Sequence, residues 1–321
     1  MASGRTRQAR VLVIGEILVE IMATTPGHGF RQALDLRGPF PSGAPAIFAD
    51  QLARQGVPVA LVSCVGDDDF GRLNLDRLRE AGVDTGAIRV HPTAVTGSAF
   101  VRYRPEGGRD FFFNIADSAC GRIARDAASD AVVEGATHLH VMGSSLSTPA
   151  IVELVLDALT RIKAKGGTVS FDPNIRPELL GHGDMRATLD RVLDATDLFL
   201  PSEGEAAMFA GTPDDVSALP VLFGRGVRAV AMKLGTRGSR LVSPEEDVSM
   251  PGFVVREVDP TGAGDTFGAT FLAAWLGGLP AREALARANA AGALAVTRLG
   301  PMEGASDPAR IDAFLAAQRN V

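Results

Sequence analysis

Cysteine is scarce in this sequence, which excludes a protein built on disulfides or on a cysteine-rich zinc site. Only Cys64 and Cys120 occur among 321 residues, far apart and without metal-type spacing, so we expect two reduced structural thiols. The five histidines include no His-Glu-x-x-His motif. His138 and His140 would share one face of a strand, which we expect near the edge of a sheet. Without a third ligand they make a poor metal site.

Long apolar runs are also missing. No segment approaches the ~20 apolar residues that a membrane helix needs. Residues 1–10 are polar and basic and lack the apolar stretch of a signal peptide. The net charge of −6 gives no support to a nucleic-acid or membrane-surface partner. We therefore expect a cytoplasmic protein that binds neither nucleic acid nor membranes.

Two common nucleotide-binding signatures are absent as well. The first apolar segment, 11–15, ends in a single glycine, so the G-x-G-x-x-G dinucleotide fingerprint does not occur. No G-x-x-x-x-G-K-[ST] phosphate loop occurs either. Any nucleotide site must therefore be built in another way.

The segments that are present alternate between short apolar strands and helices. Hydrophobic residues make up 46% of the chain, which is enough for a sizeable core. Strands are predicted at 11–15, 57–65, 138–142, 168–171, 198–200 and 229–234, and helices at 44–55, 70–81, 149–165 and 263–279. Helices between successive strands predict an α/β fold with a mostly parallel sheet covered on both faces.

Two β-rich insertions interrupt this alternation. Extra strands are predicted at 18–23 and 34–36, and a hairpin at 97–103 and 109–115 with its turn at 105–108. We expect them to form one small sheet that projects from the main domain. The predicted small sheet comprises 18–42 and 94–117, and the main domain comprises 11–17, 43–93 and 118–321.

The most informative segment is 258–268, Val-Asp-Pro-Thr-Gly-Ala-Gly-Asp-Thr-Phe-Gly, which leads into an apolar helical stretch. Gly262 and Gly264, which we expect at positive φ, allow a tight turn and leave backbone amides uncovered at a helix start, where an anion binds well. A carboxylate at Asp265 would repel a phosphate, but it suits a group that accepts a proton from a hydroxyl attacking that phosphate. The alternative is a glycine-rich turn whose aspartate caps the helix.

Residues 259–265, Asp-Pro-Thr-Gly-Ala-Gly-Asp, closely resemble the C-terminal signature of the ribokinase-like (PfkB) carbohydrate kinases. Four other segments resemble motifs of that family in the same order: 15–20 (Gly-Glu-Ile-Leu-Val-Glu), 42–46 (Ser-Gly-Ala-Pro-Ala), 65–68 (Val-Gly-Asp-Asp) and 172–176 (Asp-Pro-Asn-Ile-Arg). The resemblance implies a ribokinase-like three-layer α/β/α domain, and the two β insertions fall where the family places its lid.

The resemblance also implies roles for individual residues. Asp265 would be the catalytic base, and the amides of Gly262, Ala263 and Gly264 would form the anion hole. The implied substrate-binding residues are Glu20, Gly43, Arg102, Arg176 and Asp265. The implied nucleotide-binding residues are Lys233, Gly235, Gly238, Thr261, Gly262, Gly264 and Asn289. Glu205 would act on Mg²⁺ indirectly, and Asp259, with carbonyls at 298–300, would hold K⁺.

The sequence departs from the family pattern at four positions. Ile47 stands where the family often has asparagine, so one polar sugar contact is lost or moved. Ser202 replaces the asparagine of the N-x-x-E motif, which puts a water-mediated role there in doubt. Lys233 stands where many members carry threonine, and it could reach nucleotide phosphates as a point charge. Glu20 replaces the commoner aspartate and shifts the pocket by about one methylene.

The resemblance predicts an ATP- and Mg²⁺-dependent kinase that phosphorylates a hydroxyl of a small sugar, with a ketohexose such as fructose or tagatose favoured. A 2-keto-3-deoxygluconate kinase is the first alternative; Arg102, Arg104, Arg109 and Arg176 are candidate partners for its carboxylate, although Asn114 stands where such kinases carry a lid arginine. A nucleoside kinase would use the aromatic segment 111–113. A non-catalytic sugar sensor is the last alternative, and the intact 262–265 segment argues against it.

The predicted small sheet is rich in aromatic residues, although aromatics make up only 6% of the chain. They are Phe100, Tyr103, Phe111, Phe112 and Phe113. Alternation along the strands places about half of them on each face. One face would close over the sugar, and the other predicts a homodimer formed through paired lids. The alternative is that the second face packs on its own main domain.

Overall fold

A computed structural model describes residues 10–27, 29–106, 108–175 and 185–318 of the chain. Its strands are β1 (Val11–Ile14), β2 (Leu18–Ala23), β3 (Leu36–Ser42), β4 (Val59–Gly66), β5 (Ile88–His91), β6 (Gly97–Tyr103), β7 (Arg109–Asn114), β8 (His138–Met142), β9 (Thr168–Asp172), β10 (Leu198–Phe199), β11 (Ala229–Lys233), β12 (Ser239–Val242) and β13 (Asp247–Met250). Its α-helices are α1 (Ala44–Arg54), α2 (Asp69–Ala81), α3 (Ala127–Gly135), α4 (Pro149–Ala164), α5 (Met185–Leu193), α6 (Glu205–Ala210), α7 (Asp215–Gly224), α8 (Ala263–Leu276), α9 (Ala281–Val296) and α10 (Pro308–Gln318).

Within these residues, nine strands form one central sheet in the order β13-β12-β11-β10-β9-β8-β1-β4-β5. Neighbours from β11 to β5 run parallel, and β12 and β13 add an antiparallel edge. Because β1 is buried on both faces, its side chains alternate between two cores: Leu12 and Ile14 face one, and Val11 and Val13 face the other.

Helices cover both faces of the sheet. One core contains residues of α3 to α7, and the other contains residues of α1, α2, α8 and α9. Phe171 and Phe199 are fully buried in the first core, and Phe48 and Phe271 in the second. The predicted three-layer α/β/α fold is confirmed.

The predicted small sheet is also present, with the strand order β3-β2-β6-β7. We call this four-stranded sheet the lid. Its centre is the parallel pair β2–β6, which begins at Leu18 opposite Gly97, and β3 and β7 pair antiparallel on either side. All four strands lie inside the segments 18–42 and 94–117, whose exact domain limits stay a prediction.

The strand predicted at 34–36 is wrong in position, because the strand that forms is β3 at Leu36–Ser42. Its sequence carries Pro39 and Pro41, and its first four residues are exposed, so no apolar alternation marks it. An edge strand tolerates proline because one side of its backbone needs no partner. The sequence also gives no signal for strands β5, β12 and β13, because each has only four residues; β5 has a single buried residue and β13 has none.

Asp68 joins the main domain to the start of the lid hairpin. It caps α2 by accepting a hydrogen bond from Gly71 N at 2.8 Å. The same carboxylate accepts hydrogen bonds from Thr96 N and Thr96 Oγ1, both at 2.7 Å. Thr96 immediately precedes β6, so this contact fixes where the lid hairpin leaves the main domain.

The expected edge position of His138 and His140 is wrong. They lie on β8, between β1 and β9 in the middle of the central sheet, and neither is exposed. Ser170 Oγ lies 2.8 Å from both His138 Nε2 and His140 Nδ1. Within the described residues, His140 Nε2 has no hydrogen-bond partner, and its ring stacks on Phe48 at 3.6 Å. Burial lowers the pKa of His138 to about 3 and that of His140 well below its ordinary value.

These histidines should make stability fall at mildly acidic pH. In the unfolded chain each ring binds a proton near its ordinary pKa, whereas in the folded chain it stays neutral. The contribution of these histidines to the free energy of unfolding is therefore complete above that ordinary pKa and is lost as the pH falls below it. For His138, whose pKa is about 3 in the folded chain, the loss between pH 7 and pH 5 is about 2 kcal/mol, and the buried His140 adds a loss in the same direction. Urea unfolding of the wild type and of His138→Gln at both pH values measures it. The variant should lose about half of this pH dependence, and an unchanged dependence would contradict the assignment.

The described residues contain no helix long and apolar enough to cross a membrane.

Candidate active site

A cleft of about 610 Å³ opens between the lid and the main domain. It lies at the carboxyl ends of the parallel strands, the usual ligand position in open α/β sheets. Its walls contain Glu16, Leu18, Glu20, Ser42, Gly43, Ala44, Ile47, Ala99, Arg109, Phe111, Phe113, Ile115, Ala116, Ser144, Ser147, Asp172, Asn174, Ile175, Ser202, Lys233, Pro260, Thr261, Gly262, Gly264 and Asp265. Of the residues predicted to form the site, this cleft brings together Glu20, Gly43, Lys233, Thr261, Gly262, Gly264 and Asp265.

The segment 259–265 turns into the first turn of α8, and we call it the anion loop. Gly262 caps the helix in the left-handed region, with φ of 78°. A Cβ at this position would lie 2.4 Å from Pro301 O. Gly264, which we expected to need a positive φ as well, lies inside α8, and a Cβ there would meet only Lys233, at 3.9 Å. The expectation of a positive φ at Gly264 is therefore wrong. The backbone requires glycine only at 262, whereas Gly264 lies on the wall of the cleft.

Lys233 lies at the end of β11 and forms an ion pair with Asp172 at the end of β9. Burial opposes the charge on Lys233, but the carboxylates of Asp172 and Glu205 outweigh it and raise the pKa of the lysine. The ammonium is therefore held charged beside the anion loop. In turn, burial and the Asp172 charge raise the pKa of Glu205.

Glu205 does not line the cleft directly. Its two carboxylate oxygens accept hydrogen bonds from Ile175 N at 2.8 Å and Ser202 N at 2.6 Å. Ser202, which stands in place of the family's asparagine, therefore binds Glu205 through its backbone. The described residues hold no group of three or more His, Cys, Asp and Glu side chains placed to bind a metal.

Asp259 is completely buried and ties three segments together. Its Oδ1 accepts hydrogen bonds from Thr261 N at 3.0 Å, from Thr261 Oγ1 at 2.8 Å and from Tyr103 Oη in the lid at 3.3 Å. Its Oδ2 accepts one from Gly300 N at 3.0 Å. The anion loop is thus fixed to the lid and to the segment after α9.

The opposite wall of the cleft carries carboxylates. Glu20, on β2, is only 2% exposed, and its Oε2 accepts a hydrogen bond from Ser42 Oγ at 3.0 Å. Glu16 also lines the cleft, just after β1. Gly43 allows the chain to pass there, because a Cβ on it would lie 2.5 Å from Glu16 O.

The lid arginines separate onto two faces. Arg102 and Arg104 both form ion pairs with Asp110, and neither lines the cleft. The prediction that Arg102 faces the substrate does not agree with this placement: along β6 the alternate residue Ala99 faces the cleft, so Arg102 points to the other side. Arg109 is the lid arginine that lines the cleft, and it donates a hydrogen bond to Thr261 Oγ1 at 2.6 Å.

Three residues predicted to bind nucleotide lie apart from the cleft lining, next to the end of β13. Asn289 Nδ2 donates hydrogen bonds to Met250 O at 3.3 Å and Pro251 O at 3.1 Å. A Cβ on Gly238 would lie 2.1 Å from Met250 O, and Gly235 precedes it in the turn after β11. Their nucleotide role stays a prediction. Ala263 begins α8 without lining the cleft, and Arg176 lies outside the described residues.

Sequence reasoning did not assign several cleft residues. Asn174 is held in the left-handed region, with φ of 41°, and donates a hydrogen bond from its Nδ2 to Ser144 Oγ at 3.2 Å. A non-glycine residue in this conformation is costly and often marks a functional site. The family motif at 172–176 is the signal in the sequence that points to Asp172 and Asn174. No pattern in the sequence pointed to Ser144 or Ser147, because they join the cleft only through the fold.

The two loop glycines should respond differently to alanine. Gly262→Ala forces a side chain into a positive φ and against Pro301 O, so we expect a destabilisation of about 1–2 kcal/mol together with weaker ATP binding. Gly264→Ala fits the helix and should leave the melting temperature unchanged or raised, while its methyl group near Lys233 raises the KM for ATP. Thermal melts and ATP titrations measure both effects. An equal loss of stability in the two variants would contradict the backbone assignment.

Comparison with known proteins agrees with this geometry. Residues 8–308 match the pfkB family of carbohydrate kinases. The chain belongs to this family and is a carbohydrate kinase, an ATP-using phosphotransferase with an alcohol group as acceptor.

Three similar proteins illustrate the range of the family. "Probable fructokinase-7" of Arabidopsis thaliana is 30% identical, over 98% of this chain and 95% of its own. A 2-dehydro-3-deoxygluconokinase of Thermoproteus tenax is 30% identical, over 99% of this chain and 100% of its own. The crystal structure of "a putative Ribokinase II in complex with ATP and Mg+2" from E. coli is 46% identical, with a TM-score of 0.90 over 96% of this chain and 99% of that one.

Proposed function

We propose that this kinase phosphorylates a hydroxyl of a neutral ketohexose such as fructose or tagatose, with ATP as the donor. The observation that carries the proposal is the placement of Asp265. Its carboxylate lies in the first turn of α8, and it lines the same cleft as Glu20 on the opposite wall. A sugar hydroxyl held between the two walls can pass its proton to the Asp265 carboxylate. The backbone amides that would bind the phosphate lie in the same turn of the helix.

The residues support an in-line transfer. The sugar hydroxyl oxygen attacks the γ-phosphorus, and its proton passes to the Asp265 carboxylate. The bond from phosphorus to the bridging oxygen breaks, and its electron pair leaves with ADP. Amides in the first turn of α8 and the charged Lys233 offset the negative charge on the phosphates.

The charges in the cleft favour a neutral sugar over a sugar acid. Glu16 and Glu20 line the sugar side, where they accept hydrogen bonds from hydroxyls and repel a carboxylate. Arg102 and Arg104 are already paired with Asp110. A 2-keto-3-deoxygluconate kinase is the second candidate, because Arg109 faces the cleft and the relative from Thermoproteus tenax has a name of that class.

We propose Mg²⁺ and K⁺ as the ions. The buried Asp172 carboxylate, which lines the cleft, and the half-buried Glu205 behind it, acting indirectly, fit Mg²⁺, which binds proteins through one or two carboxylates and otherwise through phosphate and water. When bound, Mg²⁺ neutralises charge between the β- and γ-phosphates. Asp259 and the carbonyls at 298–300 would hold K⁺, and the hydrogen bond from Gly300 N to Asp259 Oδ2 brings these groups together.

A coupled ADP-release assay with a panel of ketohexoses, aldoses, sugar acids and adenosine tests the proposal. The wild type should prefer a ketohexose, and Asp265→Asn should lose ~10²–10⁴ in kcat with little change in the KM for ATP, because only the proton acceptor is removed. The matched control is Asp69→Asn, which removes an exposed carboxylate from the first turn of α2. It should match the wild type.

Two results would contradict parts of the proposal. If Asp265→Asn keeps more than about a tenth of wild-type turnover, Asp265 is not the base. If the wild type turns over 2-keto-3-deoxygluconate better than any ketohexose, the second candidate is correct.

We also propose a cytoplasmic homodimer that forms through the lid. The face of the lid that points away from the cleft carries Phe100 and Phe112, which pack edge-on against Phe30. Phe112 remains 48% exposed and Leu36, on the far edge strand, 44% exposed. A second copy with the same face would cover them with two-fold symmetry.

Light scattering at micromolar concentration should give a mass near 67 kDa, twice the 33.5 kDa of one chain. Phe112→Glu should shift the mass to that of a single chain, because it places a charge on this outer face, and it should leave sugar affinity in the monomer intact. A wild-type mass near 33.5 kDa would contradict the dimer.

A further inference from the structure

The tip of the lid hairpin is hydrogen-bonded to the anion loop. Arg109 opens β7 and lies opposite Tyr103, the last residue of β6. Arg109 Nη1 donates to Thr261 Oγ1 at 2.6 Å, and Tyr103 Oη donates to Asp259 Oδ1 at 3.3 Å. Thr261 directly precedes Gly262, so the guanidinium lies at the phosphate end of the cleft.

Arg109 also differs from the other cations nearby in what it binds. Lys233 forms an ion pair with Asp172, and Arg102 and Arg104 form ion pairs with Asp110. The hydrogen bond that Arg109 makes goes to a neutral hydroxyl.

The position of the Arg109 side chain is set by packing. Its guanidinium carbon lies 5.5 Å from the centre of the Phe111 ring, two residues along the same face of β7. A guanidinium has five N–H donors in a planar fork. Among the residues that the structure describes, the bond to Thr261 uses one of these donors and stacking uses none, so donors remain for an anion in the cleft.

We propose that Arg109 contacts the phosphoryl group during its transfer and stabilises the charge that develops there, so that the lid supplies a catalytic cation. The inference rests on the proposed kinase reaction and adds a residue to it. In that step Arg109 keeps its protons and only donates hydrogen bonds. The proton of the attacking hydroxyl goes to Asp265, and the electron pair of the broken bond leaves with ADP.

The local charge explains why such a cation is needed. Asp172 forms an ion pair with Lys233, and the Glu205 carboxylate, held by Ile175 N and Ser202 N, acts on the same lysine. Within the described residues, two carboxylates therefore share one lysine where a phosphoryl group must pass. A lid-borne guanidinium offsets this charge only when the lid lies against the anion loop, which links turnover to closure over the sugar.

The alternative is that the Arg109 guanidinium binds the carboxylate of a sugar acid. The position of Arg109 in the cleft distinguishes this role from a contact to the phosphoryl group. Arg109 is bonded to the residue next to Gly262, at the phosphate end, whereas Glu16 and Glu20 line the sugar side. A carboxylate reader would affect only acidic substrates, whereas a phosphoryl contact affects every substrate.

The test compares Arg109→Gln and Arg109→Lys with Arg104→Gln, which removes a lid arginine that is tied to Asp110 away from the cleft. With whichever sugar the wild type accepts best, Arg109→Gln should lower kcat ~10²–10³-fold and change the KM for the sugar less than about fivefold. Arg109→Lys should recover part of this loss, and Arg104→Gln should match the wild type.

A second readout separates this role from a structural one. ADP with aluminium fluoride and the sugar imitates the transferring phosphoryl group. Arg109→Gln should lose affinity for this combination by the same factor as kcat and should bind ADP alone as the wild type does. The inference is overturned if Arg109→Gln behaves like Arg104→Gln, if both affinities fall together, or if only sugar acids are affected. A wild type that turns over no sugar would refute the proposed function, whereas an active wild type together with an unaffected Arg109→Gln would refute only the role of Arg109.

Discussion

The buried carboxylate of Asp259 is the interaction on which the site depends. It accepts hydrogen bonds from the anion loop, from Tyr103 in the lid and from Gly300 after α9. A fully buried carboxylate without such partners would be costly, so the three segments must meet around it. This meeting aims the first turn of α8 into the cleft.

A second set of contacts, between the helices α1 and α2 and the segment 300–302, supports the same loop on the side away from the cleft. Asp50, on α1, is completely buried and pairs with Arg54 and Arg77. Arg77 also donates a hydrogen bond to Met302 O at 2.5 Å, next to the Pro301 carbonyl that packs on Gly262. The segment 300–302 thus links the anion loop to the helices α1 and α2 and holds the loop in place. We therefore expect the lid, and not the anion loop, to move when a ligand binds.

The cleft separates its charges by function. Glu16 and Glu20 line the wall on the β2 side, whereas Lys233 and the first turn of α8, which carries Asp265, line the other wall. The lid joins the two walls, because β2 carries Glu20 and the paired hairpin carries Arg109. A substrate that fills the cleft therefore touches parts of both the lid and the main domain, which suits a reaction that must exclude water.

The sequence by itself determined the α/β alternation, the lid strands 18–23 and 97–103, and the anion loop with Asp265, because short apolar runs, glycine spacing and motif order are local properties. Tertiary structure alone decided the rest. It moved His138 and His140 to the middle of the sheet, because strand order depends on crossover connections rather than on local pattern. It also turned Arg102 outward and Arg109 inward, because a strand's two faces look alike in sequence until its neighbours decide which face is buried.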